Sequence, residues 1–212
     1  MELGRAARRK GWWEEPKYRD HLTPATRQLV QLEGDARMIR VFQPTLVPGP
    51  LQTRPYAEAV FDVWGDLPAE TREARIAVRM QRRAQILDRP APPQYHLIFD
   101  ESILYHSPAE HDVMVDQFNR LLAFRELTHI SIRIVPFDYS TRLVMLGQFM
   151  IIELDDPADS VLYRESGFGD DLIHASDVID RHRSIFEHGW LNALSDAETA
   201  ALIQQKITKI YT

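Results

Sequence analysis

Between Gln43 and Ala57 the chain reads Gln-Pro-Thr-Leu-Val-Pro-Gly-Pro-Leu-Gln-Thr-Arg-Pro-Tyr-Ala, with four prolines and one glycine in fifteen residues. Each proline fixes φ and removes a backbone donor, so neither a helix nor a central strand can run through Pro44, Pro48 or Pro50. The block therefore divides the fold. Whatever precedes it ends near Gln43, and the next helix can open at Pro55, where proline suits a first turn. A backbone restricted in this way holds its side chains at little further entropic cost, and rigidly supported loops are where binding residues concentrate. Gln43, Gln52, Thr53 and Tyr56 are its candidate polar contacts, and Pro48 and Gly49 set its shape.

The flanking patterns are regular. Thr23-Pro24 is a helix start, followed by a stripe of Leu29, Val30, Leu32 and Ala36, and residues 38–42 alternate as a short strand. Residues 54–63 predict a helix with Tyr56, Val60 and Val63 on one side, and residues 68–87 are rich in strong helix formers. Strands are expected at 94–100, 130–137, 148–154 and 160–164, with an amphipathic helix at 112–127. Two helices, at 175–194 and 196–210, close the chain, the second opened by Ser195 with Glu198 three residues on. Together these predict an α+β fold with a mixed or antiparallel sheet of four to five strands packed with helices. The expected organisation is a basic helix over residues 1–15, a linker from Glu15 to His21, and a regulatory or effector body over 21–212.

The chain contains no cysteine, which removes disulfides, thiolate metal sites and cysteine nucleophiles, and a reducing cytoplasm fits that usage. The longest nearly apolar run, residues 143–152, is about half of what a spanning helix needs, so no membrane association is expected. The first ten residues sum to +3 within a total of -6, leaving -9 on the remainder. An acidic body repels phosphate backbones, so DNA contact is expected only through a module outside these residues.

Several chemistries lack their motifs: there is no phosphate loop, no dinucleotide fingerprint, and no first glycine before Glu165-Ser166-Gly167 for a nucleophile elbow. His106 and His111 lie five apart with Pro108 between them, out of phase for a shared metal, so neither metal nor cofactor is expected. Arg72, Arg75, Arg79, Arg82 and Arg83 form one side of the 68–87 helix. They read either as a solvated face paired with Glu70, Glu73 and Asp88, or as a source of an anion clamp at Arg79 or Arg83. Asp100 and Glu101 follow a strand directly, suited to a cleft or to a helix cap. Two other functions stay open. Arg40 with Glu153 or Glu165 loosely suggests a nucleotide-transferring fold such as that of the ADP-ribosyltransferases, and Trp12, Trp13 and Trp190 could anchor a homodimer as a scaffold.

Several segments together resemble one family: Arg8-Arg9-Lys10-Gly11-Trp12-Trp13, the Gln43–Ala57 block with its Pro-Gly-x-Leu-Gln-Thr core, Arg79 to Arg89, Phe99-Asp100-Glu101-Ser102, Ile134-Val135-Pro136-Phe137 and Gly147-Gln148-Phe149. They are similar to an actinobacterial domain of unknown function that usually forms the C-terminal part of XRE-type helix-turn-helix, antitoxin-like transcriptional regulators. Pro50 departs from the family's usual leucine, and only seven residues precede Arg8, where the family normally places a helix-turn-helix before the Arg-Arg-Lys-Gly-Trp-Trp segment. The resemblance implies a regulatory domain that binds a small-molecule effector or a small partner protein and biases DNA binding by an attached module. It carries over no catalytic residues.

Overall fold

The computed structural model describes residues 11–65, 67–166 and 169–210. Its helices are α1 (Pro16–Arg19), α2 (Pro24–Asp35), α3 (Arg54–Trp64), α4 (Ala69–Leu87), α5 (His111–Phe124), α6 (Phe137–Leu146), α7 (Ser176–Asn192) and α8 (Asp196–Ile210). The strands are β1 (Met38–Gln43), β2 (Gln94–Asp100), β3 (Ile130–Val135), β4 (Phe149–Glu153), β5 (Val161–Ser166) and β6 (Gly169–Ile173). They form one mixed sheet in the order β3-β2-β1-β4-β5-β6. β1, β2 and β3 run parallel, whereas β4, β5 and β6 follow β1 in antiparallel succession.

Helix starts obey their local chemistry. The Thr23 hydroxyl accepts from the Thr26 N–H at 3.0 Å with Pro24 in the first turn, and Thr53 caps α3 in the same way through Tyr56 N–H at 3.4 Å. Ser195 and Glu198 form a reciprocal capping box, Ser195 N–H donating to the Glu198 carboxylate at 2.8 Å.

Alternation along the strands sends side chains to two different cores. On one face Ile39 and Val41, Leu97 and Phe99, Ile132 and Ile134, and Met150 and Ile152 pack under α3, α5 and α8. On the other Phe42, Ile98, Phe149, Ile151 and Leu162 pack under α6 and α7. The crossovers from β1 to β2 and from β2 to β3 cover the first face, and the one from β3 to β4 covers the second. Strand order thus reverses between β1 and β4, which opens a crevice beyond the C-terminal end of β1.

Several expectations need correction. The sheet has six strands among the described residues, because β6 pairs with β5 from Glu165↔Asp170 to Leu162↔Ile173 and its Gly-Asp-Asp opening hides it from a strand pattern. The strand predicted over 130–137 stops at Val135, where Pro136 starts α6. The apolar run 143–152 is the end of α6 and all but the last residue of β4, separated by Gly147 at φ 70°, a conformation that favours glycine. The expected linker is also structured, since α1 lies within it and buries Tyr18 against Val30 and Val78. Of the predicted basic helix, residues 1–10 lie outside the described residues, and Trp12–Glu14 form a 3₁₀ turn.

Candidate functional site

A cleft of about 590 Å³ lies in the crevice beyond β1, between the proline loop, α2, α4 and the adjoining ends of β4, β5 and β6. That volume is in the range of small-molecule sites. Its floor follows from the two-residue period of the strands: Gln43, Met150, Tyr163 and Glu165, with Asp170 opposite Glu165, all face the α4 side of the sheet. Apolar wall is supplied by Leu46, Val47, Val60, Phe61 and Leu67.

Four of the α4 arginines bond inward, whereas Arg72 pairs at 2.8 Å with the exposed Asp62. Arg82 makes a bidentate pair with Glu33, both bonds 2.7 Å, and both residues are buried. Burial opposes its charge most strongly, but the Glu33 carboxylate overrides it and holds the Arg82 pKa above normal. Arg83 donates to the carbonyls of Pro50 and Gln52, so it fastens the proline loop to α4. Arg75 donates to the His21 carbonyl at 3.1 Å. Arg79 donates to Gln52 Oε1 at 2.8 Å and lies over the Phe61 ring at 4.2 Å, and no ion pair joins it to a carboxylate among the described residues. Burial pushes its pKa down to about 10; Glu165 counters this, and Arg82 and Arg75 add to it. Arg79 remains a cation at neutral pH whose charge the protein incompletely balances.

The proline loop fits against that cation. A Cβ on Gly49 would meet Arg79 Cγ at 3.3 Å, so glycine permits the close approach. Gln52 is buried, with its Nε2 donating to the Val47 carbonyl at 2.7 Å and its Oε1 taken by Arg79, so it aims the guanidinium. Gln43 differs: its Oε1 is buried and has no hydrogen-bond partner among the described residues. A buried acceptor left in this condition costs about 1–3 kcal/mol, which a donor from a ligand would recover.

Gln43, Pro48, Gly49, Gln52 and Arg79 thus meet in one wall. Thr53, Tyr56 and Arg83 stand behind it. Thr53 N–H donates to Gln117 Oε1 at 2.7 Å, and the Tyr56 hydroxyl accepts from Val47 N–H at 3.3 Å while burial raises its pKa to about 12. Asp100 and Glu101 lie outside the cleft. Asp100 caps the turn after β2 through Ser102 N–H, and Glu101 accepts from Phe137 N–H at 3.4 Å. Arg40 and Glu153 form a 2.6 Å ion pair on the opposite face of the sheet from Glu165. Trp12 donates to Gln85 at 3.1 Å and packs edge-on against Tyr18, whereas Trp190 stacks on His96 and Phe186. Among the described residues no cluster of three His, Asp or Glu side chains could hold a metal ion, and no helix is long and apolar enough to cross a membrane.

Sequence reading missed the acidic side of the cleft. Asp170 accepts from the hydroxyls of Thr23 and Thr26 at 3.3 and 3.2 Å, tying β6 to the start of α2. Burial, reinforced by Glu165 and Asp170, pushes the Tyr163 phenol pKa up. Alternation through Tyr163 and Glu165 was the one available signal; without β6, Asp170 had no place.

Fold and cleft define a mixed-sheet α+β domain with a cleft of about 590 Å³ at its strand-order reversal. The chain belongs to the family described as "Domain of unknown function (DUF5753)", which it matches over residues 26–205. No curated protein and no solved structure matches it.

Proposed function

We propose that this chain is the effector-binding domain of an XRE-type, antitoxin-like transcriptional regulator of the cytoplasm, and that its effector is a small molecule held in the cleft beyond β1. The observation that carries this reading is the combination of a cleft of about 590 Å³ with an incompletely balanced, part-buried cation, Arg79, and an unpartnered buried acceptor, Gln43 Oε1. Their convergence on one cleft of ligand size is what supports a binding site. The regulatory role is supported by the resemblance of the Pro-Gly-x-Leu-Gln-Thr block and its companions to such regulators. α2 and the proline loop form two walls of the cleft, so occupancy would be felt by α1 and the Trp12-Trp13 turn, which pack on α2 and α4. A helix-turn-helix module joined to that end would receive the change.

Native mass spectrometry of the chain recovered from a cell extract tests this. A reproducible added mass is expected on the wild type and not on Leu46→Trp, which fills the cleft from its apolar side. A wild-type chain that is bare, and indistinguishable from the filled variant, would refute an effector site.

A further inference from the structure

We infer that the cleft selects a small zwitterion: a molecule with a carboxylate or phosphate at one end, a protonated amine at the other, and an apolar body between them. This rests on the reading of the cleft as an effector site and adds the charge pattern of its occupant.

At the α4 wall, Arg75 and Arg79 each spend one hydrogen bond on a neutral oxygen, the His21 carbonyl and Gln52 Oε1. Their remaining N–H groups are the fork that suits a carboxylate or phosphate. At the β5–β6 wall the charge has the other sign. Glu165 and Asp170 are directly opposite each other in antiparallel register, so their side chains share one face at close range. Like charges in that position destabilise a sheet. Asp170 is eased by two threonine hydroxyls, but neither carboxylate has a cationic partner within ion-pair distance among the described residues. An ammonium group between them would relieve the repulsion, and Gln43 Oε1 offers a further acceptor from the floor of the cleft.

The two walls are separated by apolar surface: Leu46, Val60, Phe61, Leu67 and Met150. A purely anionic ligand would satisfy the arginines and worsen the acidic pair, and a purely cationic one would do the reverse. Only an occupant with both charges answers both walls. Glu165 lies too far from Arg79 to pair with it and lifts its pKa only in part, so the protein does not short-circuit the two ends itself.

The test uses leucine-alanine peptides of two to four residues, whose extended lengths reach about 7 to 14 Å. Each is compared with its N-acetyl form, which keeps only the negative end, and its C-terminal amide, which keeps only the positive one. Binding to the isotope-labelled wild-type chain is followed by amide chemical-shift titration. At least one zwitterion is expected to bind about tenfold or more tighter than both blocked forms, with shifts on α4 and on β5–β6. Arg79→Met should reduce that zwitterion to the level of its amide, and Glu165→Gln with Asp170→Asn should reduce it to the level of its N-acetyl form. Blocked and free peptides that bind alike, variants that weaken all three forms by one factor, or absence of any binding would overturn the inference. An added mass in the native experiment together with any of these results would leave the effector site standing and remove only its zwitterion selectivity.

Discussion

The sheet carries a charged cluster on each face, and the two are built to different rules. On the α7 side Glu153 sits between Arg40 at 2.6 Å and Arg183 at 2.9 Å, with Asp180 and Glu187 completing the exchange of charge. In the recess beside it, about 370 Å³, Arg183 is bonded to both Glu153 and Asp180, while the remaining basic lining residue, Arg37, is exposed. On the α4 side Arg82 and Glu33 neutralise each other in the same manner, but one turn earlier on the helix Arg79 does not, and across the cleft Glu165 and Asp170 face each other. Closed clusters position elements. An open one, in a space of ligand size, is what a binding site looks like before its ligand arrives.

The comparison is sharpest at the buried pair. Glu33→Ala leaves the Arg82 guanidinium in a site where Glu33 was fully buried, and we expect a loss of about 3–5 kcal/mol in the unfolding free energy from urea titration. A loss below about 1 kcal/mol would mean that water reaches Arg82, and the distinction between closed and open clusters would fail at its strongest point. Next in size is Gly189→Ala on the other face. A Cβ there runs into Leu143 Cδ1 of α6, and the overpacking should cost about 1–3 kcal/mol.

Glu153→Gln tests the closed cluster on the α7 face and should be smaller, about 1–2 kcal/mol at neutral pH. Burial raises the Glu153 pKa, but the guanidiniums of Arg40 and Arg183 together outweigh it, so the folded value lies below the ordinary 4.5. The stability this carboxylate contributes is therefore complete above 4.5 and is lost as the pH falls through the lower folded value. Wild type and Glu153→Gln should accordingly differ most near neutrality and converge as acidification passes below the folded Glu153 value. A difference that grows on acidification would reverse the assignment.

Much of this was legible in the sequence, for identifiable reasons. Thr23-Pro24, Thr53 with Pro55 and Ser195 with Glu198 act within one turn, so their caps could be read directly. The proline block could be read because its constraint is local, and Gln43, Pro48, Gly49 and Gln52 do line one wall. What was not legible depends on long-range geometry. Nothing near Arg82 in sequence announces Glu33, forty-nine residues away, so the α4 arginines could equally have been a solvated face. Tyr56 and Arg83 have the residue types of ligand contacts and instead hold the loop, a division made only by which way the helix faces. β6 begins Gly-Asp-Asp and has too few apolar residues to announce itself, and with it the acidic wall disappeared from view.

The smallest expected change in stability is the most informative for the cleft. Arg79→Met keeps an unbranched chain of similar length against the Phe61 ring. It removes the 2.8 Å bond to Gln52 and the contact over Phe61, the latter worth about 0.5–2 kcal/mol. Against this, it removes a part-buried cation whose pKa burial has pushed down to about 10, and the repulsion from Arg75 and Arg82. These contributions oppose each other, so the net change should lie within about 1 kcal/mol, with either sign. A residue kept for structure is expected to behave like Glu33 instead. If Arg79→Met instead cost about as much as Glu33→Ala, Arg79 would be a strut for the proline loop and the cleft would lose its anion-binding wall. If stability is nearly unchanged while the added mass of the native chain disappears, Arg79 is maintained for a ligand.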